Sequence, residues 1–190
     1  MSDSTLKPAI FLDRDGVIVE NRADYVKTIE EIQIIPGVLP ALARAAALEA
    51  LIVVVSNQSP VGRGILAWPM LAAINAHIQA AVVAAGGRID GWYICPHQPE
   101  DNCTCRKPKP GLLLTAAAEL PIDLPASVMV GDALSDVLAG RAASARSIMV
   151  RTGRGAGQIA SLRQAGLADV PVVADLAAAL ELIAAIGSLT

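Results

Sequence analysis

Aromatic side chains are scarce in this chain: one Phe, two Trp and two Tyr amount to 3% of 190 residues. A core must therefore be built from Ala, Val, Leu and Ile, and the 54% hydrophobic content both supplies them and argues against disorder. No apolar run reaches the roughly 18 to 20 residues that a membrane-spanning helix needs. Residues 1–7 lack the basic and apolar regions of a secretory signal, so a cytoplasmic location is expected. Positive charge is not in excess either, and a net charge of −3 gives no general attraction to nucleic acid or to an anionic membrane. Any anionic substrate must be drawn by local positive groups. Cysteine is limited to three, an odd number for a disulfide framework, and histidine to two. No linker, low-complexity tract, internal repeat or long heptad is present, so a single domain over residues 1–190 and a monomer are expected.

What the chain does contain is an alternation of short β-branched runs and longer helical periods. Apolar runs at 9–12, 51–55, 91–94, 127–130, 147–150 and 170–173 read as buried strands. Helical spacing is expected over 38–49, 69–85, 109–120, 135–143 and 157–165, and in a last helix from Asp175. Residues 17–36 look irregular. Such an order predicts an α/β fold, a doubly wound parallel sheet with helices on both faces, rather than the bundle that Ala-rich helices alone would suggest.

Four segments carry chemistry, and each follows an expected strand or opens the connection to the next helix. Asp13-Arg14-Asp15-Gly16 closes the first strand with two carboxylates two residues apart, so both project to one side. One can attack an electrophile while the other manages a proton, although Asp-Gly after an apolar run is also ordinary turn chemistry. Ser56-Asn57-Gln58-Ser59 ends the second strand with a hydroxyl and an amide that can bind phosphoryl oxygen or merely cap a turn. Pro60-Val61-Gly62-Arg63-Gly64 then sets an arginine between glycines, as an anion-holding turn or a mobile loop. Arg106-Lys107-Pro108-Lys109-Pro110 aims cations by restricting the backbone around them; Lys107 can neutralise a transferring phosphoryl group and Arg106 can grip a more distant anion. Asp132, after the strand at 127–130, can share Mg²⁺ with Asp13, while Asp136 falls in a first helical turn as a helix-dipole partner or a support for the metal site. A doubly wound sheet delivers all of these to one edge.

All three cysteines and one histidine lie in a single loop, as Cys95, His97, Cys103 and Cys105. Three thiols and an imidazole are the complement of a closed tetrahedral zinc site, which leaves no open position and assigns the Zn²⁺ to architecture. Packed or redox cysteines are the plain alternative. Because Cys105 directly precedes Arg106 and Lys107, the metal would stiffen the loop that aims those cations. His77, alone on an Ala-rich helix, is read as packing or surface.

Taken together, these motifs resemble the haloacid dehalogenase superfamily of aspartate-nucleophile phosphatases over most of residues 9–140. Asp13 and Asp15 match its first motif, Ser56 its second, Lys107 its third, and Asp132 with Asp136 its fourth. The segments at 11–16, 57–64 and the cysteine loop running into Arg106-Lys107-Pro108 resemble more narrowly the branch of heptose-1,7-bisphosphate 7-phosphatases, with the histidinol-phosphatase branch as rival. Three positions depart from that branch: Ser56 stands for Thr, Pro60 for Gly, and Ala133 for the Lys that commonly follows the metal aspartate. The resemblance implies a phosphorylated-sugar substrate and an aspartyl-phosphate on Asp13, with Asp15 as acid and base. It implies Mg²⁺ held by Asp13, the Asp15 backbone carbonyl and Asp132. Ser56, Asn57, Lys107, Arg63 and Arg106 would then be the substrate ligands. No segment is long enough for a separate cap domain, so residues 20–25 and the zinc loop are expected to exclude solvent. A zinc-stabilised protein that only binds a phosphorylated ligand is the alternative of another class; two adjacent carboxylates near a phosphate argue against it.

Overall fold

Phe11, the only phenylalanine, is fully buried in β1 (Ala9–Leu12), the strand around which the rest of the sheet is laid. The computed structural model describes residues 5–186. Its sheet also contains β2 (Leu51–Asn57), β3 (Gly91–Cys95), β4 (Val128–Gly131), β5 (Arg146–Val150) and β6 (Val172–Val173). The strand order is β3-β2-β1-β4-β5-β6 and every pairing is parallel. Strand alternation separates two apolar layers. Ile10, Leu12, Ile52, Val54, Val128 and Val130 pack on one face, while Ala9, Phe11, Val53, Val55 and Met129 pack on the other.

Helices cover both faces, as the alternation predicts. On the first lie α1 (Val38–Ala45), α3 (Trp68–Ala84) and α7 (Leu176–Ala185); α3 buries Leu71, Ile74, Ile78 and Val82 at helical spacing. Against the second lie α4 (Gly111–Glu119) and α5 (Leu134–Ala142), with α6 (Gly155–Gln164) beside β5. A one-turn helix, α2 (Ser59–Gly62), follows β2. The order of the strands reverses at β1 and β4, and a crevice opens at such a switch point beyond the strands' carboxyl ends. Asp13 and Asp132 each directly follow one of these two strands.

Several elements end earlier than their periodicity predicts. α1 stops at Ala45 rather than 49 because Arg88 takes over the carbonyls beyond it, donating to Ala46, to Leu48 at 3.2 Å and to Ala50 at 2.5 Å. α4 begins at Gly111, since Pro108 and Pro110 hold the preceding residues outside the helix. β6 is confined to two residues, with Pro171 lending only its carbonyl to Met149. By contrast β3 runs one residue further than expected, so that Cys95 pairs with Asn57 on the ladder.

The stretch 17–36 is irregular but not loose. Val19 bridges Asp15 and Ile34, Ile35 N–H donates to the Ile18 carbonyl at 3.0 Å, and Val17, Ile18, Val19 and Val26 are buried.

Candidate active site

A cleft of about 810 Å³ opens over the carboxyl ends of β1, β2 and β4, lined by residues of the motif segments except the turn at 60–64. Asp13, Asp15, Ser56, Lys107 and Asp136 all face it, with Asn21, Arg22, Ala23 and Tyr25 on one rim and Pro99 and Arg106 from the cysteine loop on another. A smaller cavity of about 380 Å³, between Arg141, Ser147 and Pro171, contains none of these groups.

Asp13 continues the β1 ladder, its N–H donating to the Val130 carbonyl at 3.0 Å, and its Oδ1 accepts the Arg14 N–H at 2.7 Å. Lys107 is buried beneath it. The ammonium sits 3.0 Å from Asp13 Oδ1 and 2.7 Å from Asp136 Oδ1, and donates to the Val55 carbonyl at 2.8 Å. Burial lifts the Asp13 carboxyl to about 7, against the pull of Lys107 and with help from Asp136, Asp15 and Asp132. For Lys107 burial acts downward, but the two carboxylates outweigh it and hold the ammonium above its ordinary value.

Asp132 is fully buried, and burial pushes it up to about 6 although the Arg154 N–H pulls the other way. Its Oδ2 accepts from Asn21 Nδ2 at 2.6 Å and from the Arg154 N–H at 2.7 Å, while its Oδ1 has no hydrogen-bond donor. An orphaned carboxylate oxygen with further acids beside it is what a hard divalent cation satisfies. One carboxylate oxygen each from Asp13, Asp132 and Asp136 lie within 4.8 Å of one another, so the donor set fits Mg²⁺. Two glycines make room for these acids. A Cβ on Gly16, whose φ is +87°, would stand 2.1 Å from Asp132 Oδ2, and one on Gly131 would stand 2.2 Å from Asp136 Cβ.

Beside the cleft, Cys95 Sγ lies 3.3 Å from Cys105 Sγ and 3.7 Å from Cys103 Sγ, with Cys103 and Cys105 3.4 Å apart. His97 Nδ1 faces them at 3.6 Å from Cys95 and 3.3 Å from Cys105. No pair is bonded as a disulfide. Metal–sulfur bonds of about 2.3 Å at a tetrahedral centre put sulfurs close to 3.8 Å apart, so all four groups suit one zinc ion. Lys109 ties the loop down, donating to the carbonyls of Asn102 and Cys103 at 2.9 and 2.8 Å.

Comparison with known proteins agrees with this geometry. A family model described as HAD-hydrolase-like matches residues 104–179. The D-glycero-β-D-manno-heptose-1,7-bisphosphate 7-phosphatase of Pseudomonas aeruginosa is 38% identical over 146 residues, 77% of this chain and 82% of that protein. Its counterpart in Bordetella bronchiseptica is 38% identical over 173 residues, 90% of this chain and 95% of the other. The chain belongs to the heptose-1,7-bisphosphate 7-phosphatase family of HAD-like hydrolases. Among solved structures, the D,D-heptose 1,7-bisphosphate phosphatase of B. bronchiseptica, complexed with magnesium and phosphate, superposes with a TM-score of 0.88 at 36% identity, covering 95% of this chain and 99% of that one.

Within that family frame, some side chains stand where the sequence leads one to look and others do not. Asn57 gives both ends of its amide to the Lys107 backbone, accepting its N–H at 3.1 Å and donating to its carbonyl at 3.0 Å, so its bonds position Lys107. Arg63 is exposed at the end of α2 and does not line the cleft. The glycines around it do not form an anion turn: the Gly62 N–H donates to the Pro96 carbonyl at 3.0 Å, and a Cβ there would meet that oxygen at 2.6 Å. Gly62 is thus required for close packing against the cysteine loop. Asp136 accepts the Ala133 N–H at 3.0 Å at the start of α5, as a first-turn acid can, and its other oxygen lies 2.7 Å from the Lys107 ammonium. His77 is exposed.

Arg14, Asn21, Gln58 and Arg154 were not among the expected site residues, yet all four line the cleft. Asn21 and Arg154 orient Asp132 as described. The signal of Asn21 and Arg154 in the sequence is faint, because they stand 111 and 22 positions along the chain from the Asp132 that they orient.

Proposed function

We propose that the chain is a Mg²⁺-dependent phosphomonoesterase that removes the 7-phosphate of D-glycero-D-manno-heptose 1,7-bisphosphate through an aspartyl-phosphate on Asp13. The observation that carries this reading is a buried carboxylate at a strand mouth, braced by Lys107 and flanked by the orphaned oxygen of Asp132. Asp13 attacks phosphorus in line, the bond to the 7-oxygen breaks, and Asp15 delivers a proton to that oxygen. Asp15 then takes a proton from the water that cleaves the acyl phosphate, restoring both carboxyl groups. Asp13, the Asp15 backbone carbonyl and Asp132 would hold Mg²⁺, which when bound offsets the charge crowded between nucleophile and phosphoryl group. Ser56 and Lys107 meet the phosphoryl oxygens. Arg106, which donates to the His97 carbonyl at 3.0 Å and lines the cleft, is the cation for the second phosphate.

The enzyme is read as a single-domain, monomeric, cytoplasmic protein, with zinc on Cys95, His97, Cys103 and Cys105; free thiols that bind metal suit a reducing compartment. No helix among the described residues is long and apolar enough to cross a membrane. Cys103→Ser should lower zinc content and reduce kcat/KM by about tenfold with the far-ultraviolet dichroism retained, because Arg106 hangs from the loop that the zinc stiffens. Unchanged turnover in a zinc-free protein would remove the metal from any part in the cleft.

The binding-only reading loses two of the cations it needs, since Arg63 stands away from the cleft and Lys109 is engaged by the loop's own carbonyls. Phosphate release from both anomers of heptose 1,7-bisphosphate, followed by phosphorus NMR beside histidinol phosphate and fructose 1,6-bisphosphate, tests the assignment. Selective loss of the 7-phosphate supports it. Preference for histidinol phosphate would move the chain to that branch, and inactivity on every ester would overturn the enzymatic reading.

A further inference from the structure

Arg14 is an arginine with only 1% of its surface exposed, at a position where the strand–turn geometry alone asks for nothing charged. Burying a guanidinium is costly unless its donors are used, and here nearly all of them are. Its Nη2 lies 3.0 Å from both carboxylate oxygens of Asp15, and its Nε lies 3.3 Å from Asp15 Oδ1. Nη2 also donates to Gln58 Oε1 at 3.0 Å, and Nη1 donates to Asn75 Oδ1 at 3.2 Å. Gln58 closes the circuit, its Nε2 donating to Asp15 Oδ2 at 2.7 Å and to Ser56 Oγ at 2.9 Å. Asn75 belongs to α3, one residue beyond the fully buried Ile74, and so fixes the guanidinium to an element that the core holds still.

We propose that Arg14, anchored on α3 by Asn75, is a positioning residue that sets where the Asp15 carboxyl stands relative to the leaving oxygen of the ester. The inference rests on Asp15 being the acid of the proposed reaction. Arg14 sits in the bend that follows β1, and there its side chain turns back onto its neighbour's carboxyl to form the fork. That turn is kept by Asn75 and Gln58 rather than by Asp15 itself. Without the anchor the fork can swing with Asp15, and the acid loses its place while Asp13, Lys107 and Asp132 keep theirs. The bond from Gln58 to Ser56 makes the same network hold the phosphate-binding hydroxyl in step with the acid.

Leaving-group dependence separates this role from a general structural one. An alkoxide leaving group needs the proton of Asp15 in the transition state, whereas a nitrophenolate leaves without it. In single turnovers with Mg²⁺ present, Arg14→Lys and Asn75→Ala should slow phosphoryl transfer from an alkyl phosphate by about tenfold, a fraction of what acid catalysis contributes. Transfer from p-nitrophenyl phosphate should stay within about twofold. Lysine keeps the charge but cannot supply the fork, and Asn75→Ala, a half-buried change on the helix, keeps the test available if Arg14→Lys does not fold. Asp15→Asn is the reference and should show the same dependence more strongly. If it shows the dependence and the other two variants do not, or if they slow both esters equally, Arg14 has no positioning part. If Asp15→Asn shows none, the acid role of Asp15 falls, and the inference with it.

Discussion

Asp13→Asn is expected to lower turnover of the bisphosphate by at least about a thousandfold, the scale of loss seen when a covalent nucleophile is removed. An amide oxygen is a poor nucleophile, yet the substitution is isosteric and can keep the hydrogen bond that Asp13 Oδ1 accepts from the Arg14 N–H at 2.7 Å. Lys107 retains Asp136 at 2.7 Å, so the cation is not stranded. The loss should therefore be in kcat, with the fold and the metal content of the cysteine loop unchanged, and the variant should trap no acid-stable or reducible phosphoprotein. Activity within about tenfold of the native enzyme would take the nucleophile role away from Asp13.

The same substitution should change how stability depends on pH. In the metal-free protein burial lifts Asp13 to about 7 and Asp132 to about 6, from an ordinary 3.8. Between those values the folded chain binds more protons than the unfolded one, so stability falls as pH rises through that window. A divalent cation competes with these protons and should restore stability on the alkaline side. Asp13→Asn lacks the Asp13 share of the loss. Its metal-free melting temperature should decline less than the native protein's between about pH 5 and about pH 8, and equal slopes would show that Asp13 is not the group responsible.

Much of this arrangement is legible in the sequence, and for identifiable reasons. Strands one to five are short, mainly apolar runs that alternate with helical periods, so their parallel order follows from pattern, and the parallel order fixes which ends share a mouth. The acids at those ends, Asp13 and Asp132, are conspicuous for the same reason. Pairwise geometry was not legible. Nothing local says that the Arg14 side chain will fold back on its neighbour, because its anchor is 61 positions away in α3. Asn57 read as a ligand because its amide suits phosphate, but the cysteine loop brings the Lys107 backbone to that amide first. Gly62 read as a flexible turn, whereas what it supplies is the absence of a Cβ against Pro96. Helix ends were misjudged where a distant group decided them, as Arg88 does for α1.

Lys107→Met is expected to have the largest combined effect on activity and stability. The ammonium has three protons and three acceptors, Asp13, Asp136 and the Val55 carbonyl, at 3.0, 2.7 and 2.8 Å, and a phosphoryl oxygen would take over the proton that faces Asp13. Methionine fills a similar volume without charge and leaves two buried carboxylates facing each other, a loss of about 3 to 5 kcal/mol when one member of a buried ionic set is removed. That penalty is electrostatic, so it should shrink at about pH 5, where the raised Asp13 carboxyl is protonated, and when Mg²⁺ is supplied as a replacement cation. Turnover should fall by about 10²- to 10³-fold even with Mg²⁺ saturating, because the phosphoryl oxygens lose a preorganised donor. Lys107→Arg should not rescue either property, since a planar fork cannot address three acceptors arranged around a point. Melting curves at the two pH values, with and without Mg²⁺, check the argument. A methionine variant as stable as the native protein at about pH 8 without metal would mean that Lys107 serves the phosphate rather than the fold.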